Sequence, residues 1–224
     1  MSLQALLAPL QPLFAPAFTA WGAPFTWIEI VAFVLSIWMV VCNMRVQPIA
    51  WPLAMVASLL YALLFADGRL YGEAGLQLFF VAMAGWGWWQ WLRGRDAAGQ
   101  VLVVRPLAPR IGWRVVLATA ASYPLLVALL ERIGDASPRL DALPTVGSIA
   151  GQYLLGRKYI ENWPTWLAVN VVSVVLFVVR GLWLTVILYA VFAVLSVAGW
   201  RAWAALRGQR SAAAAAHAAV SPVA

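Results

Sequence analysis

Residues 84–94 read AGWGWWQWLRG, and residues 198–208 read AGWRAWAALRG. A chain ending that returns in this form marks an internal repeat, and sliding the sequence on itself extends the match outward. At an offset of 112 residues, Ser36 falls on Ser148, Ile37 on Ile149, Arg45 on Arg157, Trp51-Pro52 on Trp163-Pro164, and Phe65 on Phe177. A two-residue slip then aligns the shared ending. Each copy holds three long apolar runs, which predicts three helices over 27–94 and three over 141–208. Three crossings finish on the side opposite to where they began, so a second copy in the same orientation needs one extra crossing. The apolar run inside 95–140 supplies it. The predicted fold is all-α and membrane-embedded: seven transmembrane helices in a 3+1+3 arrangement, with parallel repeats about an axis along the membrane normal. Residues 1–26 form an interfacial segment before it, and 209–224 a disordered tail after it. Parallel repeats of this kind occur in transporters, with sites near the midplane between the repeats.

Composition requires the bilayer. Of 224 residues, 64% are apolar and 10% charged, with a mean hydropathy of +0.86. An average soluble domain carries about a quarter charged residues. A hydrocarbon core of about 30 Å takes about twenty apolar residues as a helix. Windows that meet or approach this lie at 27–43, 49–66, 73–92, 113–131, 141–157, 164–180 and 182–204. Pro52 and Pro164 fall in first turns, where a missing N–H costs little, and Pro124 lies inside the fourth window. Pro9, Pro12 and Pro16 break any long helix in the apolar N-terminal stretch, which makes an eighth span the lesser reading. Eleven of the fifteen Lys and Arg fall on one side of the seven spans. Basic residues favour the cytoplasm, so the N-terminus is predicted outside and the C-terminus inside. The net charge of +7 does not signal a nucleic-acid partner, because a basic stripe needs a water-facing surface.

Chemistry is sparse in this chain. The lone histidine, His217, sits in an Ala-rich tail, and the single cysteine excludes an intrachain disulfide or a Cys-based zinc site. No Ser-His-Asp set, HExxH motif or phosphate loop is present. An enzyme, a cofactor and a metal are therefore not expected. Polar side chains at membrane depth are expensive and mark function first. Trp163, Trp166, Asn170 and Phe177 share one helical face, and the helical rise puts Asn170 about 10 Å from the cytoplasmic end, near the midplane. Gln152 reaches similar depth on the fifth helix. Glu73 and Gln77 share a face of the third. Amides bond sugar hydroxyls, and indole faces sandwich a flat heterocycle or a cation. Asn and Gln also glue helices together, so the residues alone leave both roles open. Trp51, Trp86, Trp88, Trp89, Trp91, Trp200 and Trp203 lie near helix ends and are read as an interfacial belt.

WIEIVAF (27–33), LYGEAGLQLFF (70–80), GWGWWQW (85–91) and SIAGQYLLGRKYIENWPTW (148–166) running into Asn170 resemble the PnuC family of bacterial vitamin transporters. The resemblance covers about residues 27–205. It implies a fold like a fused pair of semiSWEET units, a homotrimer in the bacterial inner membrane, and facilitated diffusion of nicotinamide riboside with trapping by a cytoplasmic kinase. It assigns substrate binding to Trp163, Trp166 and Asn170, and further to Gln152, Gln77 and Glu73. Phe177 departs from the family pattern, which has Tyr seven residues after the Asn, so a hydroxyl contact is missing there. Relatives carrying thiamine or riboflavin share the scaffold. Nicotinamide riboside and thiamine are both flat, cationic and hydroxylated, which suits aromatic faces with amide donors, whereas neutral riboflavin gains less. Nicotinamide riboside ranks first and thiamine second. A membrane sensor or scaffold is the reading from a different class.

Overall fold

The computed structural model describes residues 8–20, 23–67, 71–96, 98–134, 137–179 and 183–220. A 3-10 helix, Ala8–Phe14, leads into a two-stranded antiparallel hairpin of β1 (Pro16–Ala20) and β2 (Ala23–Thr26). Phe18 and Phe25 stack across it at 5.0 Å. The N-terminal segment is therefore no eighth helix, and the all-α expectation gives way to a small hairpin there. Its prolines remove the N–H groups that a helix needs.

Seven α-helices follow among the described residues: α1 (Trp27–Met44), α2 (Ala50–Asp67), α3 (Tyr71–Arg93), α4 (Pro109–Arg132), α5 (Pro138–Gly156), α6 (Asn162–Val179) and α7 (Trp183–Val220). Glu29 caps α1: its carboxylate accepts from the Thr26 backbone N–H at 2.7 Å and the Thr26 hydroxyl at 2.8 Å. The Thr26-x-x-Glu29 spacing is that of a capping box. Pro52 and Pro164 sit in the first turns of α2 and α6, and Pro124 and Pro144 lie inside α4 and α5.

Among the described residues, five helices are long and apolar enough to cross a bilayer: Trp27–Met44, Ala50–Asp67, Pro109–Arg132, Asn162–Val179 and Val186–Ala213. The sequence reading expected seven such spans. The two that fall short, α3 and α5, carry the polar residues Glu73, Gln77, Asp141, Thr145, Ser148 and Gln152. In α5 the shortfall is balanced by packing, since Ala142, Val146, Gly151, Gln152, Leu154, Leu155 and Gly156 are all buried. By contrast α4 has no buried residue. At 38 residues, α7 is about 57 Å long by its rise and outruns the hydrocarbon. The stretch from 209, expected to be disordered, continues as helix to Val220, because alanine is the strongest helix former.

The chain divides into two compact units, Met1–Cys42 with Gln47–Trp88, and Asn43–Val46 with Trp89–Ala224. The repeat returns in their backbone geometry. Val46 and Lys158, 112 residues apart, adopt left-handed φ values of 54° and 57°. These values are uncommon off glycine, and among the described residues no other non-glycine residue has a positive φ. The turns around them share their hydrogen bonds at the same offset. Gln47 N–H donates to Cys42 O as Tyr159 N–H does to Leu154 O, both at 2.9 Å, and Ala50 N–H donates to Gln47 O as Asn162 N–H does to Tyr159 O, both at 3.1 Å.

Tryptophan packing repeats too. In the first unit the Trp51 ring lies directly against Gly87, and in the second the Trp163 ring lies against Gly199, where no Cβ would fit. Trp91 Nε1 donates to Leu155 O, and Trp203 Nε1 to Asn43 O, both at 3.0 Å. Trp51, Trp91 and Trp203 are thus core residues; Trp51 is 2% and Trp203 0% exposed. This corrects the belt reading for those three. Trp88, Trp89 and Trp200 are exposed, as belt residues are.

Candidate functional site

Within the second unit, α6 and α7 run antiparallel, and their facing pairs step by seven residues in opposite directions. Trp163 meets Trp203 edge to face at 5.7 Å, Asn170 donates from Nδ2 to Ser196 Oγ at 3.2 Å, and the Phe177 ring lies 5.2 Å from that of Tyr189. Seven residues are two turns, so the three pairs form one straight seam. Ser196 in turn donates to Phe192 O at 2.8 Å, which spends its proton and leaves its oxygen to receive the amide. Asn170 is 4% exposed, and Ser173, one turn on, is also buried.

A third helix closes on the seam through small residues. Gly147 and Gly151 lie one turn apart on α5. A Cβ at Gly147 would stand 2.6 Å from Val169 Cγ2, and one at Gly151 2.9 Å from Trp166 Cε2. This small-xxx-small spacing lets two backbones approach closely. It lays the half-buried Trp166 indole against α5, at the glycine that precedes Gln152. Neither the Trp166 N–H nor the Gln152 amide makes a hydrogen bond among the described residues. Gln152 is nonetheless buried.

Below the seam lies an aromatic floor. Trp91 approaches Trp203 at 6.4 Å, and Trp163 is closed between Trp203 and Gly199, its indole N–H buried without a partner among the described residues. Lys158, 8% exposed, places Nζ 5.0 Å over the Trp91 ring and donates to Leu102 O at 3.1 Å. The segment between α3 and α4 is pinned to the same turn. Arg105 N–H donates to Lys158 O, Ile160 N–H to Arg105 O, and Leu107 N–H to the Glu161 carboxylate at 2.9 Å.

Burial, and then the charge of Arg210, hold the Lys158 ammonium below its usual 10.5. Between the lowered value and 10.5 the unfolded chain binds the extra proton, so stability rises with pH across that window. Thermal unfolding from neutral pH toward pH 10.5 should show this rise, and the Lys158→Met protein should lack it.

Of the residues read from sequence, Asn170 and Phe177 lie on the α6–α7 seam, Trp163 at its floor and Trp166 against Gly151 of α5, while Gln152 is buried on α5. Gln77 is half-buried on α3 in the first unit. Glu73 belongs to α3, with its side chain outside the described residues. Sequence reading missed Ser196 and Tyr189. Both are isolated polar groups in the apolar run VILYAVFAVLSVAGW, and the rule that singled out Asn170 would have found them.

The nicotinamide mononucleotide transporter family model matches residues 26–205. The chain is 27% identical over 189 residues to the nicotinamide riboside transporter PnuC of Escherichia coli, covering 73% of this chain and 79% of that one. It is 31% identical over 172 residues to the riboflavin/roseoflavin transporter RibM of Streptomyces davaonensis, covering 75% and 80%. The crystal structure of the vitamin B3 transporter PnuC aligns with a TM-score of 0.67 at 27% identity, over 82% of this chain and 83% of that one. These relatives are transporters, not enzymes. With several helices apolar enough to span a bilayer and a family match over most of its length, the chain belongs to the nicotinamide mononucleotide transporter family.

Proposed function

We propose that the protein takes up nicotinamide riboside across the bacterial inner membrane by facilitated diffusion, with a cytoplasmic kinase trapping the product. One observation carries the reading. The Trp166 indole packs on Gly151 of α5, one turn along α6 from the buried Asn170 amide that bonds Ser196, and Gln152, the residue after that glycine, is buried on α5. A flat cation stacks on indole and a sugar bonds amides. The name of the Escherichia coli relative supports the vitamin. In this proposal Trp163 frames the site from the Trp203 side, and Phe177 lines its other end. The 112-residue return of turns and Trp-on-Gly contacts supports the 3+1+3 arrangement with parallel repeats, 27–94 and 141–208 about a linker at 95–140. The basic-residue bias supports a cytoplasmic C-terminus, and the family resemblance a homotrimer. A flavin is the second reading, favoured by the likeness to RibM.

Titration calorimetry of the purified protein with nicotinamide riboside, thiamine and riboflavin tests the substrate. Tightest binding of nicotinamide riboside is expected. Tightest binding of riboflavin would move the assignment to the second reading, and binding of thiamine alone would reject both.

A further inference from the structure

Tyr189 is a phenol in the apolar run of α7, half-buried, with no hydrogen bond among the described residues. Such a hydroxyl usually finds a partner when buried, and leaving it unmade is costly. Its ring does not face outward as an interfacial belt tyrosine would. The outward face of α7 is marked by the exposed Ile187, Val191 and Val194. Tyr189 instead packs on Phe177 of α6 at 5.2 Å and meets Phe192 edge-on at 6.2 Å. Those two rings fix its direction, and Tyr189, Phe192 and Ser196 follow one another on one face of α7. Along the seam the Phe177–Tyr189 pair stands seven residues from Asn170–Ser196, a rise of about 10 Å. That separation suits a ligand with a flat heterocycle at one end and a hydroxylated arm at the other.

We propose that Tyr189 is a specificity-determining residue whose phenol reads the polyol arm of the carried ligand, favouring ribosyl or ribityl compounds over those with a single hydroxyl. The inference rests on the Asn170-centred site proposed above. A group placed to bond a substrate hydroxyl discriminates strongly against ligands lacking it, because the site's own polar atom is then left unpaired.

Tyr189→Phe removes one oxygen and keeps both ring contacts, so the fold is retained. Calorimetry on the full-length parent, Tyr189→Phe and Asn170→Ala with nicotinamide riboside, riboflavin and thiamine decides the matter. For whichever polyol ligand binds the parent, Tyr189→Phe should weaken binding about fivefold to tenfold, the loss of one neutral hydrogen bond. Thiamine should change less than about twofold, within the small end of that range. Unchanged polyol affinity in Tyr189→Phe, alongside a loss in Asn170→Ala, overturns the role of Tyr189 and leaves the site standing. Unchanged affinity in Asn170→Ala removes the site and the inference with it. Equal losses for every ligand, or a parent that binds only thiamine or none of the three, also overturn it.

Discussion

Trp203→Ala should cost about 3–5 kcal/mol of stability, the range for truncating a large buried aromatic. Its side chain is fully buried, stands edge to face with Trp163 and within reach of Trp91, and donates to Asn43 O. Truncation opens a cavity beneath two other indoles and removes one of the two hydrogen bonds that Asn43 O accepts, the other coming from Val46 N–H at 3.0 Å, which adds to the loss. Collapse around the cavity is hard because Gly199 already brings the α7 backbone against Trp163. Trp200, three residues earlier and exposed, is the control, and its alanine variant should stay within about 0.5 kcal/mol. Thermal unfolding in one detergent reads both. Equal small shifts would show that the tryptophan floor is not what holds these helix ends together.

Asn170→Ala should abolish measurable vitamin binding or weaken it at least about tenfold, with the protein still folded, since a hydrogen bond lost in a buried site costs on the order of 1–3 kcal/mol. The competing role is helix glue, because Asn170 already donates to Ser196. The two roles separate in Ser196→Ala. If Asn170 only joins α6 to α7, both variants lose stability alike and neither loses affinity beyond that. If Asn170 also binds ligand, its second amide proton and its carbonyl oxygen make contacts that Ser196→Ala spares, and the affinity loss is specific to Asn170→Ala.

The helices were legible in the sequence because hydrophobic length and proline position are local. The seven predicted windows fall on α1 to α7 with ends shifted by a few residues, except at the C-terminal end of α7, which runs on from 204 to Val220. The repeat was legible from Trp-Pro, and Val46 and Lys158 show that it reaches down to single φ angles; the two-residue slip that aligned the shared ending is corrected, because Gly87 answers Gly199 and Trp91 answers Trp203 at the unbroken offset of 112 residues. What stayed hidden depends on partners. A tryptophan near a helix end reads alike whether it faces lipid or a glycine, and only the facing Gly87 and Gly199 distinguish Trp51 and Trp163 from Trp89, which is 54% exposed. The polar content of α3 and α5 was counted as site chemistry but not charged against their ability to face lipid. Phe177 was read as a lost hydroxyl, whereas the facing helix sets the Tyr189 ring beside it, a pairing that needs the register of the hairpin. The tail was read by its complexity rather than by alanine's helix propensity.

The central claim is uncoupled transport of a flat cationic vitamin through a site that Asn170 and Trp166 hold. It meets its most direct test in liposomes containing the purified protein, clamped at zero membrane potential, with no Na⁺ or pH gradient and unlabelled nicotinamide riboside inside. Labelled nicotinamide riboside should enter by counterflow, and Asn170→Ala liposomes should show none. Binding without counterflow would contradict transport and favour a sensor. Net uphill accumulation driven by an imposed H⁺ or Na⁺ gradient at zero potential would contradict facilitated diffusion.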